Sequence, residues 1–446
     1  MNNLQQIHHL LSRAAFGPSF RYLTSYMDHT SAGLVIQIFK ASQNYTDLDA
    51  VVPDTSVPFN LSSLTEEEKR ALRKRQREQL LNLNKEWIVK MSTTDAVLRE
   101  KMTLFWHDHF ACSTKNPFFA QDLNNILRRN ALGDFGTMLL EVSKSPAMLQ
   151  YLNNQQNKAK SPNENFAREV MELFTLGRDN YTENDIKNAA RAFTGWGFDR
   201  TGRFVFRKKQ HDHGIKMFMG YKGDFGGEDI LKILLENRRT ARYITEKIYK
   251  YFVNEIVDPV FLDELSAGFY NSGYDIEKLM FDIFSSDKFY EDKNINNLVK
   301  SPAELIVGYG RLLPIRSYDK KSILRMQRAL GQVLFVPPNV GGWPYGREWI
   351  NSTSITYRMQ LPYTFINSAG GKKKNRWMTL DVDWNSFFSK VQHMDSDDLA
   401  ILILGRTPTP EEKKLIFVSM DKFSYKPVRR SIQTISWLCL PEYQLA

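Results

Sequence analysis

Apolar side chains recur at three- and four-residue intervals from Leu4 onward, most clearly over 96–110, 165–176, 185–193, 240–252 and 303–313. That spacing predicts helices that each bury one face. The helix starts are marked as well. Ser161-Pro162-Asn163-Glu164, Ser301-Pro302-Ala303-Glu304 and Thr409-Pro410-Glu411-Glu412 share a hydroxyl N-cap, a proline in the first turn and a carboxylate that can close a capping box, and Thr65 to Glu68 repeats the pattern without the proline. Strand character is confined to Arg203-Phe204-Val205-Phe206 and Lys216-Met217-Phe218-Met219, which alternate about a polar turn and predict one small hairpin. The expectation is a mainly α protein, a multi-helix globular array around one large core, with a β-hairpin insert near residues 203–219. A glycine- and lysine-rich loop at 370–376 divides a main helical domain, 1–369, from a helical segment, 377–446, packed on the same core.

Composition supports a large core. Of 446 residues, 42% are hydrophobic and 13% aromatic, which excludes wholesale disorder. The longest uncharged apolar stretches, such as 399–404, are far shorter than the roughly 20 residues a membrane span needs. The first residues lack the pattern of an export signal, so the expected compartment is the cytoplasm. Cys112 and Cys439 are too few for a disulfide framework and read as core thiols. The net charge of +10 invites an acidic partner, but part of the excess sits in 69–77, directly behind Glu66, Glu67 and Glu68. That order suits the helix dipole, and Glu66 with Arg70 and Lys74 with Glu78 make i,i+4 pairs, so a solvated helix face explains the run better than nucleic acid does.

Four segments carry candidate chemistry. In Glu100 to Phe110, Glu100, Thr103 and His107 share a helical face, whereas His109 points roughly 160° away, so both histidines bind one ion only if the helix ends between them. In Asn163 to Glu172, Glu164 lies one turn from Arg168, and Glu169 neighbours Glu172; paired carboxylates suit general-acid or metal-ligand work, with capping and ion pairing as the plainer readings. His211-Asp212-His213, in the turn between the two strands, is a fragment suited to a divalent transition metal, with Lys216 close by. The Gly- and Pro-rich stretch 330–344 places Gln332, Asn339 and Trp343, with Trp349 beyond, as amide and indole groups suited to sugars or peptides. Phosphate loops, dinucleotide fingerprints and nucleophile elbows do not occur.

The same segments carry a resemblance. His9-Leu10-Leu11-Ser12-Arg13-Ala14-Ala15-Phe16-Gly17-Pro18, Trp106-His107-Asp108-His109-Phe110, Asn163 to Glu169, Thr175-Leu176-Gly177, Ala190 to Trp196, His211-Asp212 with Gly214 and Lys216, Leu330-Gly331-Gln332, Gly342-Trp343-Pro344 and Pro441-Glu442-Tyr443-Gln444 stand in an order that resembles the bacterial family called domain of unknown function 1800. The resemblance implies a protein of unknown activity, exported in many members, and often encoded beside a sulfatase-like or phosphatase-like protein. It supplies no catalytic residues. The chain departs from the commoner pattern in having Asp108 where Asn stands between the two histidines, which adds an acid.

Two functions follow if the segments converge. One is a divalent-metal-dependent hydrolase or lyase acting on a polar or anionic, glycan-like substrate. There His109, Glu164, His211 and Asp212 hold the metal, Glu169 and His107 act with Arg168, Arg191 and Lys216 in catalysis, and Gln332, Trp343 and Trp349 bind substrate. The other is a non-catalytic carbohydrate- or protein-binding scaffold working with an enzyme partner, in which the same groups form a buried network.

Overall fold

The computed structural model describes residues 2–53, 64–368, 380–420 and 426–446. About 64% of it is helical, with twenty α-helices and only two-stranded antiparallel sheets. The mainly α expectation holds, and the loop anticipated at 370–376 lies outside the described residues. No helix among those described is long and apolar enough to cross a membrane.

The helix Val97–His109 is the centre of the packing, with all thirteen residues buried. A helix enclosed on every side is normally apolar all round, but this one carries Arg99, Glu100, Lys101, His107, Asp108 and His109, so each polar group needs a partner inside the protein. Arg128 forks onto Glu100 through Nε (2.6 Å) and Nη2 (3.1 Å), and Trp87 Nε1 donates to the same carboxylate (2.8 Å). Arg99 donates to the carbonyls of Ser42, Arg128 and Arg129. Lys101 meets Glu304 at 2.5 Å.

Three of the four anticipated capping boxes form, at Thr65, Ser301 and Thr409. The fourth does not, because Asn157 Oδ1 accepts the Asn163 N–H and Asn163 Oδ1 accepts that of Asn165, delaying the helix to Asn165–Glu169. It then widens into a π-helix, Val170–Thr175, a geometry frequent at functional sites. The basic run lies on the exposed face of the helix Glu66–Thr93, although Glu66 pairs with Lys69 instead of Arg70, and Glu78 reaches Lys320 instead of Lys74.

The hairpin expectation needs correction. Both strands form, but they do not pair with each other: Phe204–Phe206 pairs with Trp196–Phe198, and Lys216–Phe218 pairs with Tyr221–Gly223. Turn chemistry decides this. Asp199 Oδ1 collects the N–H groups of Thr201 and Arg203 to close the first hairpin. Met219 and Gly220 both hold positive φ (47° and 87°), the two-residue turn that matches strand twist in the second. Residues 207–215, including the two histidines, therefore connect two hairpins.

Beyond 380, the strand Leu380–Val382 pairs with Ile315–Tyr318, and the helix Ser396–Leu404 packs on the helix Asn3–Ala14.

Candidate functional site

The residues expected to form one site are not brought together. Successive positions on the helix Val97–His109 face different surroundings, as a 100° step per residue dictates. His107 Nε2 accepts the Phe335 N–H (3.1 Å), with its ring edge-on to Trp87. His109 donates through Nε2 to the Phe174 carbonyl (3.3 Å) among Phe105, Phe110 and Phe135. The helix ends only after both. Burial pulls His107 down to about 3 and His109 well below its ordinary value, so both are neutral packing groups.

Glu164 and Glu183 hold Arg168 at the surface (3.4 and 3.0 Å). Glu169 is raised by burial and then by the neighbouring Glu172, which itself binds Arg178 and the Tyr181 hydroxyl. Asp212 is clamped by Arg191 at 2.7 and 3.2 Å and by the Gly214 N–H, which hold it below the usual carboxylate range. With Glu164 and Asp212 committed to arginines and the imidazoles of His107 and His109 to backbone groups, His109, Glu164 and Asp212 do not join His211 in an ion site; the metal-like cluster among the described residues is His211, His213 and Asp224.

What does converge is a cavity of about 650 Å³ beside the same central helix. Its floor comes from Asn3–Ala14 (Arg13) and Val97–His109 (Lys101 and Asp108), one wall from Arg238–Phe252 (Tyr243, Lys247 and Tyr251), another from Glu304, and its roof from the 343–349 loop. Gln332, Trp343 and Trp349 all line it, and none of His107, His109, Glu164, Glu169, His211 or Asp212 does. Gln332 is tied down, its Oε1 accepting the Ala303 N–H (2.8 Å).

Four of the charges at this cavity, on Arg13, Lys101, Asp108 and Glu304, are buried. Arg13 is 1% exposed. Its Nη2 donates to the Asn294 carbonyl (2.9 Å) and Asn297 Oδ1 (2.5 Å), while Nε and Nη1 find no protein partner. Burial lowers its pKa to about 9 against the pull of Glu304. Burial alone would push Glu304 up, but Lys101 and the Ser301 cap together hold it below its ordinary value. The capping carboxylate thus serves the helix with Oε2 (2.7 Å from Ser301 N) and the cavity lysine with Oε1.

Asp108 Oδ1 accepts the Trp343 N–H (2.7 Å), and the Tyr345 hydroxyl also bonds to this carboxyl. Burial raises its pKa nonetheless, against these bonds and the Lys247 charge. Lys247, partly buried, is brought down to about 8 by burial, opposed by Asp108. The Tyr251 phenol is pushed well up by burial and by the charges of Glu304 and Asp108. Gly342 (φ 87°) lets the roof loop reach Asp108; a Cβ there would lie 2.8 Å from the Asp108 carbonyl oxygen. Enclosed Arg13 and Lys101 and partly buried Lys247 therefore face Asp108 and Glu304 beneath aromatic rings, while Glu246, Glu255, Glu348 and four further cations line the wider cavity. Such a chamber favours an anionic group on a polar body, with a lysine titrating near neutrality beside a carboxyl group.

The chain belongs to the family described as Protein of unknown function (DUF1800), whose model matches residues 9–445. Searches of curated proteins and of solved structures find no match.

Proposed function

We propose that the protein is a hydrolase or lyase whose reaction centre is the cavity over Asp108, acting on an anionic, glycan-like substrate. One observation carries this reading: Arg13, an enclosed guanidinium with two donor nitrogens that lack a protein partner, lines a chamber that Lys101 and Lys247 also line. Enclosed donors without partners are costly, so a ligand that accepts from them is favoured. A carboxylate, sulfate or phosphate matches the fork of a guanidinium. The rings of Trp343, Trp349 and Tyr345 offer flat apolar faces to a sugar. Lys247 supplies the base, because its pKa of about 8 leaves an appreciable neutral fraction at physiological pH. Asp108, beside it and held by the Trp343 N–H, orients the lysine over the floor of the chamber.

The test is calorimetric titration with uronate-containing and sulfated oligosaccharides against neutral ones of equal length, followed by assay for chain cleavage. Binding of an acidic series with turnover, lost in Lys247→Met, is the expected result. Equal binding of neutral and acidic sugars, or none of either, defeats the reading. Acidic-sugar binding without cleavage would favour the scaffold role that the aromatic roof also suits.

A further inference from the structure

We infer that His211, His213 and Asp224 form a site for a first-row divalent transition ion, apart from the cavity over Asp108 and independent of the function proposed for it. One ligand atom from each residue lies within 4.8 Å of the other two. None of the three lines the cavity. The cluster arises from the hairpin pairing itself. His211 and His213 lie in the connector between the hairpins, and Asp224 follows directly on the strand Tyr221–Gly223.

Two of the ligands are already oriented. His211 Nδ1–H donates to the Thr194 carbonyl (2.9 Å), which leaves the Nε2 lone pair available, the arrangement that fixes a ligating imidazole in the correct tautomer. Lys216, whose side chain is fully buried, holds Asp224 by Oδ1 (2.9 Å) and leaves Oδ2 facing His213 at 3.7 Å from Nδ1. The same ammonium donates to the Asp212 carbonyl (2.6 Å), so the Arg191–Asp212 clamp and Lys216 together fix the loop that bears both histidines.

Two imidazoles and one carboxylate suit zinc, cobalt, nickel or ferrous iron, not calcium or magnesium, which take oxygen ligands. A tetrahedral ion with bonds near 2.0–2.1 Å needs ligand atoms about 3.3 Å apart. His213 and Asp224, with side chains 65% and 45% exposed, have room to close that gap. Three protein ligands at an exposed position leave coordination open to water, and the ion would clip the second hairpin to the connector.

The experiment uses the full chain prepared without a nickel column and stripped with chelator. Calorimetric titration with zinc chloride is paired with cobalt chloride titration followed by visible absorption. One equivalent of zinc should bind, and cobalt should give the absorption of a low-coordinate nitrogen- and oxygen-ligated ion. His213→Ala and Asp224→Asn, both at exposed positions, should each weaken zinc binding at least about tenfold, the usual effect of losing a ligand or its orienting partner. His393→Ala, an exposed histidine elsewhere, should leave it unchanged. Circular dichroism establishes that each variant is folded. Absence of saturable zinc binding, or full retention by both variants, overturns the site.

Discussion

Replacing Lys247 by Met should make the protein more stable at neutral pH while removing ligand binding. The wild-type lysine titrates near 8 in the folded protein against an ordinary 10.5. Between those values the unfolded chain binds more protons than the folded one, so stability rises with pH through that window. The destabilisation is complete below pH 8 and gone above 10.5. A gap of that size corresponds to about 3 kcal/mol, a ceiling that partial exposure and the loss of a counter-charge for Asp108 reduce to about 1–2 kcal/mol. Equilibrium urea unfolding of wild type and variant at pH 7 and again at pH 10.5 reads the difference directly, since groups common to both cancel. The variant should lead at pH 7 and the gap should close at pH 10.5. A variant that is less stable by the same margin at both values would show that Lys247 is a packing or ion-pairing residue, and would remove the argument that it is held deprotonatable for chemistry.

Three further outcomes follow from the enclosed polar groups. Arg128→Met should cost roughly 3–5 kcal/mol in urea unfolding, because it strands the buried Glu100 carboxylate, and the double variant with Glu100→Met should cost less than the single change. Gly342→Ala should cost more than about 1 kcal/mol and weaken binding in the cavity, since a left-handed φ of 87° and contact with Asp108 both oppose a Cβ; unchanged ligand affinity would show that the roof loop does not shape the site. Burial holds His8 and His107 near 3 and His9 and His109 well below their ordinary value, so their neutral forms stabilise the fold fully above pH 6.5. Stability should fall below 6.5 by about 1.4 kcal/mol per pH unit for each histidine, and a flat profile between pH 6.5 and 5 would contradict their burial.

The fold was legible wherever local chemistry decided it. Hydroxyl caps with a carboxylate three residues on located three helix starts, and the apolar period located the helices behind them. The miss at Ser161 came from Asn157, whose side chain captures the Asn163 backbone and cannot be read from the cap motif itself. Strand pairing was missed for a similar reason. Met219 gives no sequence sign of a positive φ, so the Met219-Gly220 turn was not legible and the wrong partners were joined.

The site failed differently. The expected convergence of separate segments does not occur, and the helix continues through His109, so His107, Asp108 and His109 diverge by about 100° each. The acid between the two histidines is the one that reaches the cavity. Arg13, Lys101 and Lys247 carried no signal because lysine and arginine are surface residues by default, and only the tertiary fold encloses them. Glu304 was hidden by its own success as a cap, for one carboxylate oxygen closes the helix and the other faces Lys101. Along the central helix Glu100 and Arg99 are fully matched by partners that arrive with the fold, whereas Arg13 keeps two unmatched donors at the cavity. What sets the Arg13 deficit apart is its place, for the residue lines the cavity, where a ligand can approach it.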